Sequence, residues 1–453
     1  MTRIVFFLFL VFLINFTVLI TGSQAGVLYV PDIGTKAMGR GGAYIANPAD
    51  LSALYFNPAG LAAQDKNNQF LTMLYISSTN SWFQRATDGE VSFDEVESSP
   101  VPLPAPAFMG SWCYPDHPLL KRFVFAAGFF TPHGYLLQFP QDGAQRYTNY
   151  YTMMLQASQV VAVGVKITDS IRFGFDIGNV MMGIDNKSML PSLLPGADGL
   201  AYENTDMDII AHVSAYDWFN FYYNLGLSVD LTSYLTFGFS FSPPLHGTLV
   251  GSLTGALPPT YQEVLGFDSI SGNAHIPMNL PYILRGGLSV RPIENLEVEM
   301  AMVIENWSDF TEEYVNLDSP LLIEDNPLGV YKDQVIPMSV GINWGIRVGA
   351  EYRINSFDLR AGYLYESDTS EDDAYTTFLL DSNKRGYSAG FTYNFEKWNF
   401  DFSFVHLKYG DRTVNDGIVT KTGVDYSLDS PVINNGLYKI NVETLNLGLG
   451  YKF

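Results

Sequence analysis

The last ten residues alternate in character. Leu445, Leu447, Leu449, Tyr451 and Phe453 are apolar, while Thr444, Asn446, Gly448, Gly450 and Lys452 between them are polar or small. Successive side chains of a strand point to opposite faces, so such a strand sets one apolar column against lipid and one polar column toward a lumen. The device recurs along the chain. Phe221, Tyr223, Leu225, Leu227 and Val229 show it, as do Leu235, Phe237, Phe239 and Phe241, then Leu296, Val298, Met300, Met302 and Ile304. Tyr387, Ala389, Phe391, Tyr393 and Phe395 repeat it, followed by Phe400, Phe402 and Phe404. One such strand fits any half-buried sheet. A dozen or more point to a transmembrane β-barrel.

Composition narrows the class. Aromatic residues make up 15% and charged residues 16%, against about 25% charged in ordinary soluble domains. After the N-terminus no unbroken apolar run reaches the roughly 18 residues of a membrane helix, which excludes a helical membrane protein but not a barrel. Arg3, the apolar stretch from Ile4 to Ile20 and the small-x-small site Ser23-Gln24-Ala25 before Gly26 have the layout of a secretory signal over residues 1–25. A retained anchor helix is the alternative. Cys113 is the single cysteine, so neither a disulfide framework nor an N-terminal lipid anchor is available. Together these features place the chain in a bacterial outer membrane, surrounded by outer-membrane lipid; a monomer is the expectation, and the sequence does not fix the oligomeric state.

The net charge of −22 is concentrated in clusters between the alternating segments. Glu366, Asp368, Glu371, Asp372 and Asp373 form one, Asp88, Glu90, Asp94, Glu95 and Glu97 a second, and Glu305, Asp309, Glu312 and Glu313 begin a third. They read as solvated loops, with divalent-cation bridging to anionic lipid as the alternative. So acidic a chain is not a nucleic-acid binder. No nucleotide, phosphate or metal motif is present in the sequence, so no cofactor or metal is expected.

Strands are expected near residues 69–78, 105–113, 122–131, 152–166, 171–183, 219–230, 234–242, 281–290, 295–305, 341–352, 356–365, 386–395, 399–408 and 441–453. The count is about fourteen, even as in single-chain bacterial barrels. Short links at Asp169-Ser170 and from Leu231 to Tyr234 read as periplasmic turns. Residues 184–211, 243–280, 306–340, 366–385 and 409–438 read as extracellular loops, with ordered loop or short helix over 258–280 and 318–330. The barrel thus occupies residues 66–453. Residues 26–65 do not alternate. They contain Gly39-Arg40-Gly41-Gly42-Ala43 and the turn Asn57-Pro58-Ala59-Gly60, where Pro58 fixes φ, Asn57 can bond its own backbone and Gly60 tolerates positive φ. With too few apolar residues for a separate domain, this segment is expected to lodge inside the barrel as a plug. An exposed arm is the alternative.

Here the chain resembles the outer-membrane long-chain fatty acid transporters of the FadL family, over nearly the whole mature sequence. The resemblance is carried by Ala37-Met38-Gly39-Arg40-Gly41-Gly42-Ala43, by Ala53 through Leu61 including Asn57-Pro58-Ala59-Gly60, by Trp307-Ser308-Asp309-Phe310, and by Leu359-Arg360-Ala361-Gly362-Tyr363 with Asp381-Ser382 and Gly386-Tyr387. It implies an all-β, fourteen-stranded barrel whose N-terminal hatch plugs the lumen. It also implies capture of hydrophobic molecules at the outer face, a buried lumen site, and sideways release through a break in the wall. Residues 105–131, where Pro102, Pro104 and Pro106 interrupt pairing, are the place to look for that break, with an edge or entry turn as the alternative for those prolines.

A fatty acid needs a partner for its carboxylate, and arginine offers bidentate geometry. Arg347 and Arg360 are the leading candidates because their parity sets them opposite the lipid-facing columns; Arg172 and Arg285 follow. The alternative for each is a lumen salt bridge with an acid such as Asp358, Asp176 or Glu297. The resemblance leads one to expect a basic residue shortly before Arg347, where this chain has Asn343. That departure keeps open the family's other cargo class, aromatic hydrocarbons. Phe139, Tyr147, Tyr150 and Tyr151 are candidates for the outer hydrophobic groove, or for an interfacial girdle. Three other classes stand beside this one. An enzyme would rest on His212, Ser214 and Asp208, a non-specific porin would lack a plug, and a docking barrel would serve protein secretion.

Overall fold

The computed structural model describes residues 33–64, 68–87, 91–191, 203, 206–309, 340–378, 380–421 and 432–453, with short strand segments between 312 and 337. The expected signal peptide and residues 26–32 lie outside the described residues. Fourteen wall strands close into one antiparallel barrel. In chain order they are β1 (Gln69–Arg85), β2 (Leu103–Cys113), β3 (Phe123–Gln138), β4 (Tyr151–Lys166), β5 (Ile171–Leu190) and β6 (Ile209–Thr232). Next come β7 (Leu235–Ser242, continued by Leu245–Ala256), β8 (Ser269–Leu280, continued by Tyr282–Ile293) and β9 (Leu296–Asn306). The wall ends with β10 (Ile342–Ile354), β11 (Phe357–Glu366), β12 (Lys384–Phe395), β13 (Trp398–Tyr409) and β14 (Gly436–Lys452). Closure is made by β1 on β14, paired without interruption from Gln69↔Lys452 to Arg85↔Gly436. Such closure joins the first and last strands, so neither end of the strand order is left as a free edge.

Alternation places the two faces as the sequence implies. Thr444 and Asn446 are fully buried while Leu447 is 46% exposed, and Arg360 is buried between Leu359 and Tyr363, which face outward. Parity also corrects the reading of two acids as solvated loop residues. Glu305 and Glu366 are buried near the ends of β9 and β11. Glu305 accepts a bond of 3.0 Å from Trp307 Nε1, and Glu366 pairs with Arg347 at 3.1 Å.

The wall is also taller than expected. Much of the supposed loops at 184–211 and 243–280 is strand, because β5 and β6 extend upward and β7 and β8 resume beyond Pro243-Pro244 and Pro281. Ile210↔Ala256 and Leu225↔Phe241 keep a single register across the proline pair. Proline withholds a ladder donor and breaks the alternation locally, so each long strand reads as one short strand followed by a loop. The short helix expected within 258–280 is present as Pro259–Leu265. Most of 318–330 lies outside the described residues.

Residues 33–64 fill the lower lumen. Two short helices, α1 (Thr35–Gly39) and α2 (Ala53–Phe56), and a 3-10 turn over Pro58–Ala63 are almost entirely buried. Wall glycines let them approach. A Cβ at Gly174 of β5 would overlap the backbone of Pro58 and Ala59, and one at Gly362 of β11 would overlap Arg40 and Gly41. Buried charge fixes the segment further. The Arg40 guanidinium lies 3.0 Å from Glu297 and 3.5 Å from Glu299, whose Oε1 also accepts from the backbone N–H groups of Ile45 and Ala46 at 2.5 and 2.9 Å.

Candidate functional site

The Asn57 turn is the joint between segment and wall. Its Nδ2 donates to the Ile45 carbonyl at 2.8 Å and to the Leu227 carbonyl of β6 at 3.0 Å, while its Oδ1 accepts from Ala59 N at 3.1 Å. One amide therefore ties the turn to itself, to the preceding loop and to the barrel. Pro58, Ala59 and Gly60 are buried behind it. Gly39 belongs to α1, and Gly41 and Gly42 adopt positive φ of 64° and 76°, which lets the chain turn back after Arg40.

Above this joint the wall has a seam. β2 pairs along its length with β1, from Gln69↔Ser111 to Ser77↔Leu103. On its other side it meets β3 only from Phe108↔Phe129 to Cys113↔Val124. Residues 103–107 therefore have no partner on β3. The physical reason lies on both sides of the seam. Pro104 and Pro106 lack N–H donors, and β3 carries one extra residue between Phe130 and His133, at Thr131-Pro132, which shifts its register on β4. Pro104 and Pro106 are legible in the sequence as ladder-breakers. Pro132 is not, because the strand expected from alternation ends at residue 131.

The seam lies between the plugged lumen and the outer surface. Behind it, Tyr55 of α2 meets the Phe130 ring edge-on at 6.1 Å between centroids, and Leu54 lies against Gly128. Outside it, a groove of about 720 Å³ starts at the last closed pair, Phe108 and Phe129, and is walled by Phe70, Trp112, Val161 and Phe221. Above the segment, Met154, Met182, Leu249, Ile276, Met278 and Trp307 pack into one apolar cluster, and Arg347 and Lys384 are buried with Glu366 as a separate ionic group. Below the segment, a cavity of about 490 Å³ is bordered by Lys36, Asp50, Arg291, Glu351, Arg353 and Asp401.

The four candidate arginines divide clearly. Arg347 pairs with Glu366; Arg360 lies 2.7 Å from Glu351 and 3.8 Å from Asp358; Arg172 lies 2.5 Å from Asp230. Arg285 is buried, sits 4.5 Å over the Tyr55 ring and reaches Ser242 Oγ at 3.4 Å. Among the described residues it has no carboxylate within ion-pair distance. Of the acids considered as partners, Glu297 binds Arg40 and Arg291, and Asp176 is buried opposite Asn224 in the ladder. Asn343 is buried in β10.

The four aromatic candidates do not form one groove. Phe139 packs with Phe83, Tyr375 and Tyr438 at the rim, whereas Tyr147, with Tyr150 beside it, packs with Met189, Val419 and Ile433. Tyr151 begins β4 under Lys187. The residues of the enzyme alternative point apart. His212 faces Asp185 at 3.1 Å, Ser214 faces Tyr216, and Asp208 is held by Arg146 at 2.9 Å.

The fold agrees with several solved structures. A Pseudomonas aeruginosa FadL homologue superposes with a TM-score of 0.75 at 15% identity, covering 94% of this chain and all of that one. The Ralstonia pickettii toluene transporter TbuX gives 0.66 at 16% identity over 93% and 99% of the two chains. The Pseudomonas putida toluene transporter TodX gives 0.65 at 17% identity over 95% and 99%. No curated protein matches the sequence. The family described as outer membrane protein transport protein (OMPP1/FadL/TodX) matches residues 16–447. A match of that extent decides the family, and the chain belongs to these bacterial outer-membrane β-barrel transporters of hydrophobic compounds.

Proposed function

We infer that this chain takes up long-chain fatty acids, passing them from the extracellular rim into the upper lumen and releasing them sideways through the seam between β2 and β3. The observation that carries the reading is the seam itself. It is a stretch of β2 without partners on β3, backed by the plug at Leu54 and Tyr55, and an apolar groove starts on the outer surface where the pairing resumes. Burying an acyl chain gains about 0.8 kcal/mol per methylene, so the apolar cluster of the upper lumen draws cargo in passively. The charged cavity beneath the plug offers it no comparable site, and the bilayer beyond the groove does. Movement of α2 would disturb both the lumen floor and the Phe130 side of the seam, coupling release to the plug.

Arg285 supports a carboxylated cargo, being a buried guanidinium that faces the plug without a carboxylate of its own. Aromatic hydrocarbons are the second reading. They need no counter-charge, Asn343 supplies none, and two of the similar structures are toluene transporters. Uptake of labelled oleate and toluene separates the two. A hydrogen bond to a charged group contributes about 1.5–3 kcal/mol, so Arg285→Met is expected to slow oleate uptake roughly tenfold or more and to leave toluene unchanged. Equal effects on both, or none on oleate, would favour the hydrocarbon reading.

A further inference from the structure

At the extracellular rim, three cations from three separate parts of the chain converge on one carboxylate. Arg85 ends β1, Arg146 lies between β3 and β4, and Lys421 lies between β13 and β14. Their nitrogens stand 2.9, 3.7 and 3.2 Å from the carboxylate of Glu203, and Arg146 also holds Asp208 through its Nε at 2.9 Å. The cationic side chains are 1–6% exposed, whereas Glu203 is 21% exposed and is the outward-facing member. Aromatic faces complete the surround. Arg146 and Lys421 both sit over the Tyr147 ring, at 4.4 and 5.0 Å, and Arg85 sits 4.1 Å over Phe93.

Two further observations point to a ligand. Among the described residues neither terminal nitrogen of Arg85 donates a hydrogen bond, even though Nη1 lies beside Glu203, so its fork is charged and buried with no hydrogen-bond acceptor there. A cavity of about 610 Å³ shares Arg146 with the cluster; Met189, Ile210 and Leu257 give it an apolar wall, and Asp142, Asp206 and Asp208 border it as well. That volume is within the roughly 300–1,000 Å³ typical of small-molecule sites.

We propose that Arg85, Arg146 and Lys421 form a receptor for the carboxylate of an amphiphilic cargo, and that Glu203 occupies it as an internal stand-in which the incoming carboxylate displaces. The inference rests on the transport reading and adds a first, extracellular headgroup site to it. A carboxylate of the same chain competes at an effective concentration of order millimolar. Cargo must therefore outcompete it, and the energy of its acyl chain entering the cavity lets it do so. A neutral hydrocarbon gains nothing from the exchange.

The test uses purified full-length protein carrying Arg285→Met, so that the lumen arginine contributes no carboxylate recognition, with dodecanoate and dodecanol as probes. Adding Glu203→Gln keeps the side-chain shape and removes the competing charge. Dodecanoate is then expected to bind about tenfold tighter, while dodecanol changes by less than about twofold. Arg85→Met in the same background should weaken dodecanoate binding and spare dodecanol, so the inference stays testable if one variant misfolds. Unchanged dodecanoate affinity in Glu203→Gln, or equal shifts for both probes, would overturn it. Binding of neither probe to the wild-type protein would instead overturn the transport reading, and this site with it.

Discussion

Closing the seam is expected to abolish most uptake while leaving the barrel folded. The variant that does so deletes Pro132 and replaces Pro104 and Pro106 by valine. Deletion removes the extra residue that shifts β3 on β4, and the valines restore two N–H donors on residues 103–107, whose partners on β3 would follow directly from Phe108↔Phe129. Pro104 and Pro106 are exposed, so β-branched replacements would face lipid, where they are well tolerated. Each added hydrogen bond contributes about 0.5–1.5 kcal/mol, and a few of them make the wall continuous. If cargo leaves sideways, uptake of oleate should fall about tenfold or more, since each added 1.4 kcal/mol of barrier costs a factor of ten. Wild-type rates in this variant, with its altered ladder verified by amide exchange, would place the exit elsewhere.

Asn57→Leu is expected to have the opposite effect on the axial path. Leucine fills similar space but leaves the Ile45 and Leu227 carbonyls and the Ala59 N–H without the partners that Asn57 supplies. A buried group left unpaired costs about 1–3 kcal/mol. Even the low end, roughly 3 kcal/mol over three groups, raises the detached population of the segment by about two orders of magnitude. Oleate uptake should fall because Leu54 and Tyr55 no longer back the seam. Ion conductance should rise because the lower lumen is no longer filled. Both readouts matter, since a variant that merely misfolded would lose uptake without gaining conductance. Unchanged conductance with intact uptake would remove Asn57 from its role as the joint.

The legibility of these features in the sequence follows from the range of the interaction that makes each one. Strand faces depend only on neighbouring residues, so the alternation around Leu447 or Arg360 reads directly from the chain. The Asn57 turn is also local, and its residues stand together. Ion pairing is not local. Whether an arginine is free depends on strand register, as when Arg347 meets Glu366 on the adjoining strand, and parity alone ranked Arg347 and Arg360 above Arg285. The tall rim was hidden for the same reason, because continuity across Pro243-Pro244 is visible only in the ladder with β6. Half of the seam was legible at Pro104 and Pro106. The other half required the register of β3 on β4.

Sideways release through a plugged barrel is tested most directly by following oleate transfer and sugar-driven swelling in the same wild-type proteoliposomes. Rapid oleate transfer without swelling is the expected result, because residues 33–64 fill the lower lumen and the proposed exit at the seam leads only to lipid. Swelling that accompanies oleate transfer, and that persists when the seam is closed, would show an axial pore and contradict it.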